Sequence, residues 1–103
     1  MAVVEELIYA AKQLSSACDK AIKKIERKTI VAHATNPLDY AWQHHEQYLS
    51  NWGGLGAKTL LLGMNPGPWG MAQSGVPFGS TNIAKTLLRI KPFQLETPPN
   101  AHP

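Results

Sequence analysis

An asparagine follows the most apolar run of the chain, within the stretch LLLGMNPGPWGMAQSGVPFG at residues 60–79. Three prolines in this stretch fix the backbone φ angle, and five glycines permit close approach of the backbone to a ligand. Such a loop can direct backbone N–H groups and the Asn65 amide into a cavity, while Trp69 and Phe78 supply flat aromatic faces. The combination suits a planar, uncharged ring that forms hydrogen bonds, such as a nucleobase.

Two phosphate-binding motifs do not fit the same loop. A P-loop needs G-x-x-x-x-G-K-[ST] after a strand, whereas GGLGAKT at residues 53–59 lacks the second glycine and precedes the apolar run. Gly63, Gly67 and Gly70 do not give the G-x-G-x-x-G of a dinucleotide site. Taken alone, Asn65 before Pro66 is also typical of a turn, and Phe78 is also typical of a core residue.

Two adjacent histidines and one cysteine are the other candidates for chemistry. His44 and His45 point to different faces of a helix, and zinc ligands on one face need a spacing of three or four with further partners, so no metal site is predicted. Cys18 is the single cysteine, which excludes an intrachain disulfide. We expect it to be a small buried hydrophobe rather than a reactive thiol, and we expect no cofactor.

Helices are predicted around these residues. Apolar positions recur at spacings of three and four in the first segment, and a second helix is predicted to start at Asn36-Pro37 and to stop at Gly53. Ser80 is a suitable N-cap for a helix over residues 81–90. The apolar stripe of the first helix is Val4, Leu7, Ala11, Leu14, Cys18, Ala21 and Ile25.

The run KTLLLG at residues 58–63 is the best candidate for a strand. A continuous apolar run bounded by glycine is typical of a strand that is buried on both faces of an α/β sheet. TIVA at residues 29–32 is a doubtful second strand. Since a buried parallel strand needs partner strands, we interpret the 103 residues as the opening part of one larger α/β domain.

Charge and hydropathy bear on the partners and the cellular location that we expect for the protein. The net charge of +3 is compatible with nucleic acid binding but does not require it. The cations Lys23, Lys24, Arg27 and Lys28 close the first helix, where a solvated face is favoured over contact with DNA phosphates. No membrane span or signal peptide is predicted, so we expect an intracellular protein.

Three stretches of the chain resemble one family. GMNPGPWGMAQSGVPFG at residues 63–79 closely resembles the first active-site motif of the single-strand-selective monofunctional uracil-DNA glycosylases, within the uracil-DNA glycosylase superfamily. NPLDYAW..H..Y at residues 36–48 resembles the family segment upstream of it, and TPPNAHP at residues 97–103 resembles a stretch downstream of it. The resemblance covers residues 36–103 and does not include the preceding helix.

The resemblance implies a fold, a reaction and a set of site residues. The fold is a three-layer α/β/α sandwich with a central parallel sheet, of which this chain would supply the first strands and flanking helices. The reaction is hydrolysis of the bond that joins uracil, or a related damaged pyrimidine, to deoxyribose in single- or double-stranded DNA. Asn65 matches the asparagine that positions the attacking water, and Phe78 matches the aromatic that stacks on the flipped base. Met64, Gly67 and Met71 match residues that line the pocket.

Two alternatives to this function stay open. The family's uracil-reading asparagine and its later His-containing loop have no counterpart in these residues, so a shortened, non-catalytic paralogue that still binds a base or DNA is the second hypothesis. Self-association through the stripe of the first helix is the third, although we expect a monomer. The resemblance implies DNA as partner, no membrane or metal, and a location in the nucleus of a eukaryote or the cytoplasm of a bacterium.

Overall fold

A computed structural model describes residues 2–30 and 34–91 of the chain and contains five helices in them. The first helix is by far the longest, with 27 residues, and it packs across the second and third. The fourth and fifth are short and follow the long loop that carries the candidate site. The helices are α1 (Ala2–Lys28), α2 (Pro37–Tyr40), α3 (Trp42–Trp52), α4 (Met71–Ser74) and α5 (Thr81–Thr86).

Helix α1 forms as predicted, but its packed side is rotated from the predicted stripe. Glu5 in the first turn and Arg27 and Lys28 in the last turn suit the helix dipole. Three predicted stripe residues are half-buried, whereas Leu7, Leu14, Ala21 and Ile25 are exposed. The apolar surface of α1 is therefore wider than the side that packs. The half-buried apolar residues are Val4, Ile8, Ala11, Cys18 and Ile22.

Helices α2 and α3 begin where the sequence predicts but form two pieces. The side chain of Asn36 accepts a hydrogen bond from the backbone N–H of Leu38 at 3.1 Å, so Asn36 is the N-cap and α2 starts where Asn36-Pro37 predicts. Ala41, which is fully buried with φ −111° and ψ 26°, interrupts the helix between the two pieces. Gly53 caps α3, and its backbone lies so close to Leu7 of α1 that an added Cβ would clash with that side chain.

A small apolar cluster lies at the end of the loop and packs it against α3 and α5. Val76, Ala84 and Ile90 are buried together, and Tyr48 of α3 packs against them. The Ser80 side chain accepts from the N–H of Ile83 at 3.2 Å, so the predicted N-cap of α5 is also confirmed. However, α5 ends at Thr86, before the predicted residue 90, and Arg89 has a positive φ of 55° that a helix does not allow.

The predicted fold class is wrong for this structure. The described residues form no strand and no sheet, so they do not show an α/β/α sandwich with a central parallel sheet. Residues 58–63 have no regular secondary structure, and their leucines are exposed rather than buried on two faces. A strand exists only through hydrogen bonds to a neighbouring strand, and the described chain supplies no neighbour for this run. Of the doubtful strand, Thr29 and Ile30 form a bend, and the rest lies outside the described residues.

Two further expectations concern the C-terminal segment of the resemblance and the presence of a membrane span. The TPPNAHP segment at residues 97–103 lies outside the described chain. Within the described chain, no helix combines the length and the apolar character that crossing a membrane requires.

Candidate functional site

The first half of the candidate loop is open to solvent. Met64 is 97% exposed, and Asn65 and Pro66 after it are exposed as well. Among the described residues, no hydrogen bond is made by the Asn65 amide. The Asn65 side chain, which is predicted to orient a water, is therefore exposed to solvent. The leucine run before it is exposed as well.

Phe78 lies beside this exposed segment. Its backbone has φ 58°, in the left-handed region that non-glycine residues rarely adopt, and its side chain is 64% exposed. A Cβ built on Gly63 would lie 3.3 Å from Cζ of the Phe78 ring. The ring therefore rests on the backbone two residues before Asn65, and the absence of a side chain at Gly63 leaves room for it. The structure thus places the Phe78 ring beside the loop segment that carries Asn65.

Gly67 and Met71 lie where the loop turns into α4. The carbonyl of Gly67 accepts hydrogen bonds from the N–H groups of Gly70 and Ala72, at 3.2 and 3.0 Å, which fixes a tight turn. A Cβ built on Gly67 would meet no protein atom within 4 Å. Packing in the described chain therefore does not explain this glycine. Met71 is half-buried and begins α4.

Three side chains from α2 and α3 hold the end of α4. The hydroxyl of Tyr40 donates to the carbonyl of Ala72. Nδ1 of His44 lies 3.0 Å from the carbonyl oxygen of Ser74, and Nδ1 of His45 lies 2.8 Å from that of Gly75. The last carbonyls of a helix have no partner within the helix, so these donors satisfy groups that would otherwise be buried without one.

The two histidines must donate through Nδ1, because a carbonyl oxygen can only accept. His44 and His45 are both buried. Burial lowers the pKa of His45 below its ordinary value of 6.5, and the hydrogen bond to the Gly75 carbonyl opposes that shift. His45 is thus held as a neutral imidazole with its proton on Nδ1 near neutral pH. Burial likewise raises the pKa of Tyr40, against a hydrogen bond with Thr35.

Ser74 and Gly75 join α4 to the segment that carries Phe78. The fully buried Ser74 hydroxyl accepts from the N–H of Val76 at 3.1 Å and donates to the carbonyl of Gly79. Gly75 has φ 73°, and an added Cβ would lie 2.6 Å from Cβ of Ala41. The loop is therefore fixed on both sides of Phe78. Gly75 packs against Ala41 before it, and Gly79 is hydrogen-bonded to Ser74 after it.

The chemistry open to this arrangement is that of neutral groups. Residues 60–79 include no acidic, basic or histidine side chain. An amide and backbone N–H groups can orient water and accept developing negative charge through hydrogen bonds, without acting as a strong base.

Tyr40, His44, His45 and Ser74 were given no role by the sequence reasoning. The histidines were considered only as metal ligands, and within the described residues no cluster of three or more potential ligands occurs. The spacing offered a signal only for residues 40 and 44, which are four apart, as neighbours on a helix surface are. Their acceptors, however, lie about thirty residues further along the chain, and local periodicity does not connect the two.

The chain is similar to curated single-strand selective monofunctional uracil-DNA glycosylases. The proteins of Mus musculus and Rattus norvegicus are each 48% identical to it over 68 residues, which is 66% of this chain. The protein of Bos taurus is 38% identical over 82 residues, or 80% of this chain. The resemblance predicted from the sequence is confirmed over that part.

These matches have a limited extent. The chain spans 24% of the length of the mouse and rat proteins and 30% of the bovine one. No protein-family model matches it, and no solved structure does.

Proposed function

We propose that the protein containing this chain is a DNA repair glycosylase, which hydrolyses the N-glycosidic bond of uracil in DNA. The observation that carries the proposal is the 48% identity to proteins named as uracil-DNA glycosylases. The position of the Phe78 ring at Gly63, two residues before Asn65, supports it, because the two roles assigned by the resemblance belong to one site.

The proposed mechanism uses Asn65 and Phe78 in succession. The target base leaves the DNA stack, and Phe78 offers a ring on which it stacks, which offsets part of the few kcal/mol that extrusion costs. Cleavage passes through an oxocarbenium-like state with a departing pyrimidine anion. The Asn65 side-chain oxygen orients a water toward the sugar carbon, while hydrogen-bond donors around the base stabilise its charge.

A monofunctional reaction agrees with the composition of the loop. A glycosylase that also cleaves the DNA strand needs an amine nucleophile to form a Schiff base, and residues 60–79 contain no lysine. We therefore propose that the product is free uracil and an abasic site in an intact strand. Met64, Gly67 and Met71 form one wall of the base pocket in this proposal.

The test is a uracil-release assay on the complete protein that contains this chain. Single- and double-stranded oligonucleotides with one uracil are the substrates, and Asn65→Ala is expected to lower the rate by about a hundredfold or more, as loss of a positioning group in a preorganised site does. Asn51→Ala is the matched control, because Asn51 is an exposed asparagine of α3 and not a residue of the loop.

Two results would count against the proposal. No release of uracil by the wild-type protein from either substrate would overturn it. If such a protein still bound uracil-containing DNA in a fluorescence titration, the alternative of a non-catalytic paralogue would be supported instead. An equal loss of activity in Asn51→Ala would contradict the specific role of Asn65.

A further inference from the structure

A dense group of cations occupies the last turns of α1. They are Lys20, Lys23, Lys24, Arg27 and Lys28, and all five are exposed. With 3.6 residues per turn, they fall within an arc of about 140° around the helix axis. We call this surface the basic face. Ala11, Cys18 and Ile22, which are half-buried on the packed side, lie about 180° away from the middle of that arc.

Among the described residues of these turns, no carboxylate lies within the arc of the basic face. The two acidic residues in this part of α1, Asp19 and Glu26, are half-buried toward the packed side. Asp19 is also engaged there, because its Oδ1 accepts a hydrogen bond from Nδ2 of Asn36 at 3.1 Å. An ordinary solvated helix face alternates acids and bases at a spacing of three or four. The basic face follows that pattern only at Lys23, which lies four residues from Asp19 and three from Glu26; its other four cations have no acid at either spacing.

The arrangement is unfavourable for the isolated helix. Lys20 and Lys24 are four residues apart, as are Lys23 and Arg27, and like charges at this spacing repel each other. The negative end of the helix dipole relieves only the last turn. Among the described residues, nothing anionic lies on this face. A partner of opposite charge would supply the missing neutralisation.

We infer that the basic face of α1 binds the phosphate backbone of DNA, at a place separate from the base-binding loop. From Lys20 to Lys28 the helix rises about 12 Å. One strand of a duplex presents a phosphate about every 3.4 Å of axis, so the face spans three to four phosphates. The choice of DNA among polyanions rests on the proposed function, whereas the charge argument stands on α1 alone.

An anionic membrane is the other polyanion to consider. A helix that lies in a membrane interface needs large apolar side chains opposite its cations, buried in the lipid. On α1 the side opposite the basic face is packed on α2 and α3 and is not available. The exposed Leu14 and Ile25 lie to one flank only. The geometry therefore favours DNA.

The test measures how salt affects binding of uracil-free duplex DNA by the complete protein. Fluorescence anisotropy gives Kd over a range of salt concentrations for the wild type and for a variant with Lys20→Gln, Lys23→Gln, Lys24→Gln and Arg27→Gln. Glutamine keeps the helix propensity of lysine and arginine, so α1 is retained. We expect the slope of log K against log salt to fall in magnitude by about 3, at 0.9 for each lost phosphate contact.

A second variant carries the same change of charge elsewhere. Lys58, Lys85, Arg89 and Lys91 are exposed outside α1 and are also three lysines and one arginine. Their replacement by glutamine is expected to leave the slope near that of the wild type. A third variant, with Lys20→Arg, Lys23→Arg and Lys24→Arg, keeps the charge and must keep the slope even if the glutamine variant is less stable.

Each outcome decides the inference. An equal fall of the slope in the two glutamine variants would overturn it in favour of a net-charge effect. An unchanged slope in the α1 variant would overturn it outright. Loss of binding to phosphatidylserine vesicles with unchanged DNA binding would replace DNA with a membrane. Because the probe contains no uracil, a wild type that binds it through the basic face but releases no uracil would refute only the proposed hydrolysis.

Discussion

Two glycines of the candidate loop differ in what their neighbours require of them. At Gly75 the φ of 73° and the contact with Ala41 both forbid a side chain. At Gly67 no described atom approaches, so the space beside it is open. If the loop binds a base, that open space is where the base or its DNA strand comes close, and the need for glycine at Gly67 is functional.

Alanine substitutions separate the two requirements. We expect Gly75→Ala to lower the free energy of unfolding by at least about 1–2 kcal/mol, the cost of a Cβ in the left-handed region. Gly67→Ala is expected to leave that free energy unchanged but to slow uracil release. Denaturant titration and the release assay check the two outcomes. Full activity in a folded Gly67→Ala protein would contradict the placement of Gly67 in the pocket wall.

At the scale of single residues, the roles that could be predicted from the sequence are those that depend on neighbours in the chain. Ser80 could be predicted as a cap and Asn36-Pro37 as a helix start, because a cap bonds to an N–H only two or three residues away. The hydrogen bonds of His44 and His45 could not be predicted, because their acceptors, the carbonyls of Ser74 and Gly75, come near only in the folded chain. The roles assigned to Met64, Asn65, Gly67, Met71 and Phe78 stay predictions from the resemblance.

At the scale of elements, α4 is too short to be stable by itself. A helix of four residues makes almost no internal hydrogen bonds, so its position depends on what α2 and α3 supply. His45 supplies one buried donor to it, at 2.8 Å from the carbonyl oxygen of Gly75. The upstream segment of the family resemblance, residues 36–48, therefore has a structural purpose in holding the motif that follows.

Replacement of His45 tests this support. His45→Phe leaves the buried Gly75 carbonyl without a donor and is expected to cost about 1–3 kcal/mol of stability. His45→Asn places an amide N–H near the position of Nδ1 and is expected to cost less. Chemical denaturation at neutral pH measures both. Equal losses in the two variants would mean that ring packing, not the hydrogen bond, holds α4.

The pH dependence of stability gives a second readout for the same contact. The pKa of His45 is lower in the folded state than in the unfolded state, so the folded state binds fewer protons. Its neutral form is fully favourable above about pH 6.5, and stability falls as the pH drops from there through the lower folded pKa. Both variants should lose this contribution, and a wild-type profile that does not fall below pH 6.5 would contradict it.

The elements also show where periodicity is ambiguous. In α1, spacings of three and four fit two neighbouring stripes, one through Leu7 and Leu14 and one through Ile8 and Ser15. Which of them packs depends on where α2 and α3 lie. The early end of α5 has a similar cause, because Ile90 turns back into the cluster around Val76 rather than continuing the helix.

At the scale of the whole molecule, the fold class was the prediction that failed. An apolar run such as residues 58–63 has the composition of a buried strand, but a sheet is a property of several segments together. The described residues contain no second segment that pairs with this run. The buried apolar residues of the described chain are few, and two of the five are alanines: Leu38, Ala41, Val76, Ala84 and Ile90.

The apolar residues that stay exposed lead to a prediction about the isolated chain. Leu60 and Leu62 are 86% and 89% exposed, next to Met64 at 97%. An exposed apolar run with unpaired backbone N–H and C=O groups is a template for pairing with another chain. The other exposed apolar row, which includes Leu14 at 56%, lies on a helix whose backbone groups are already paired. We therefore expect the isolated residues 1–103 to self-associate through the leucine run rather than through α1.

Sedimentation velocity on two lysine variants of the isolated chain decides between these surfaces. Leu60→Lys with Leu62→Lys is expected to abolish the rise of average mass with concentration, because charges on an exposed strand-like segment block edge pairing. Leu14→Lys, an exposed substitution of the same kind on α1, is expected to leave that rise in place. The reverse result would assign self-association to the helix stripe. A constant monomer mass for the unmodified chain would show that the leucine run is covered in solution.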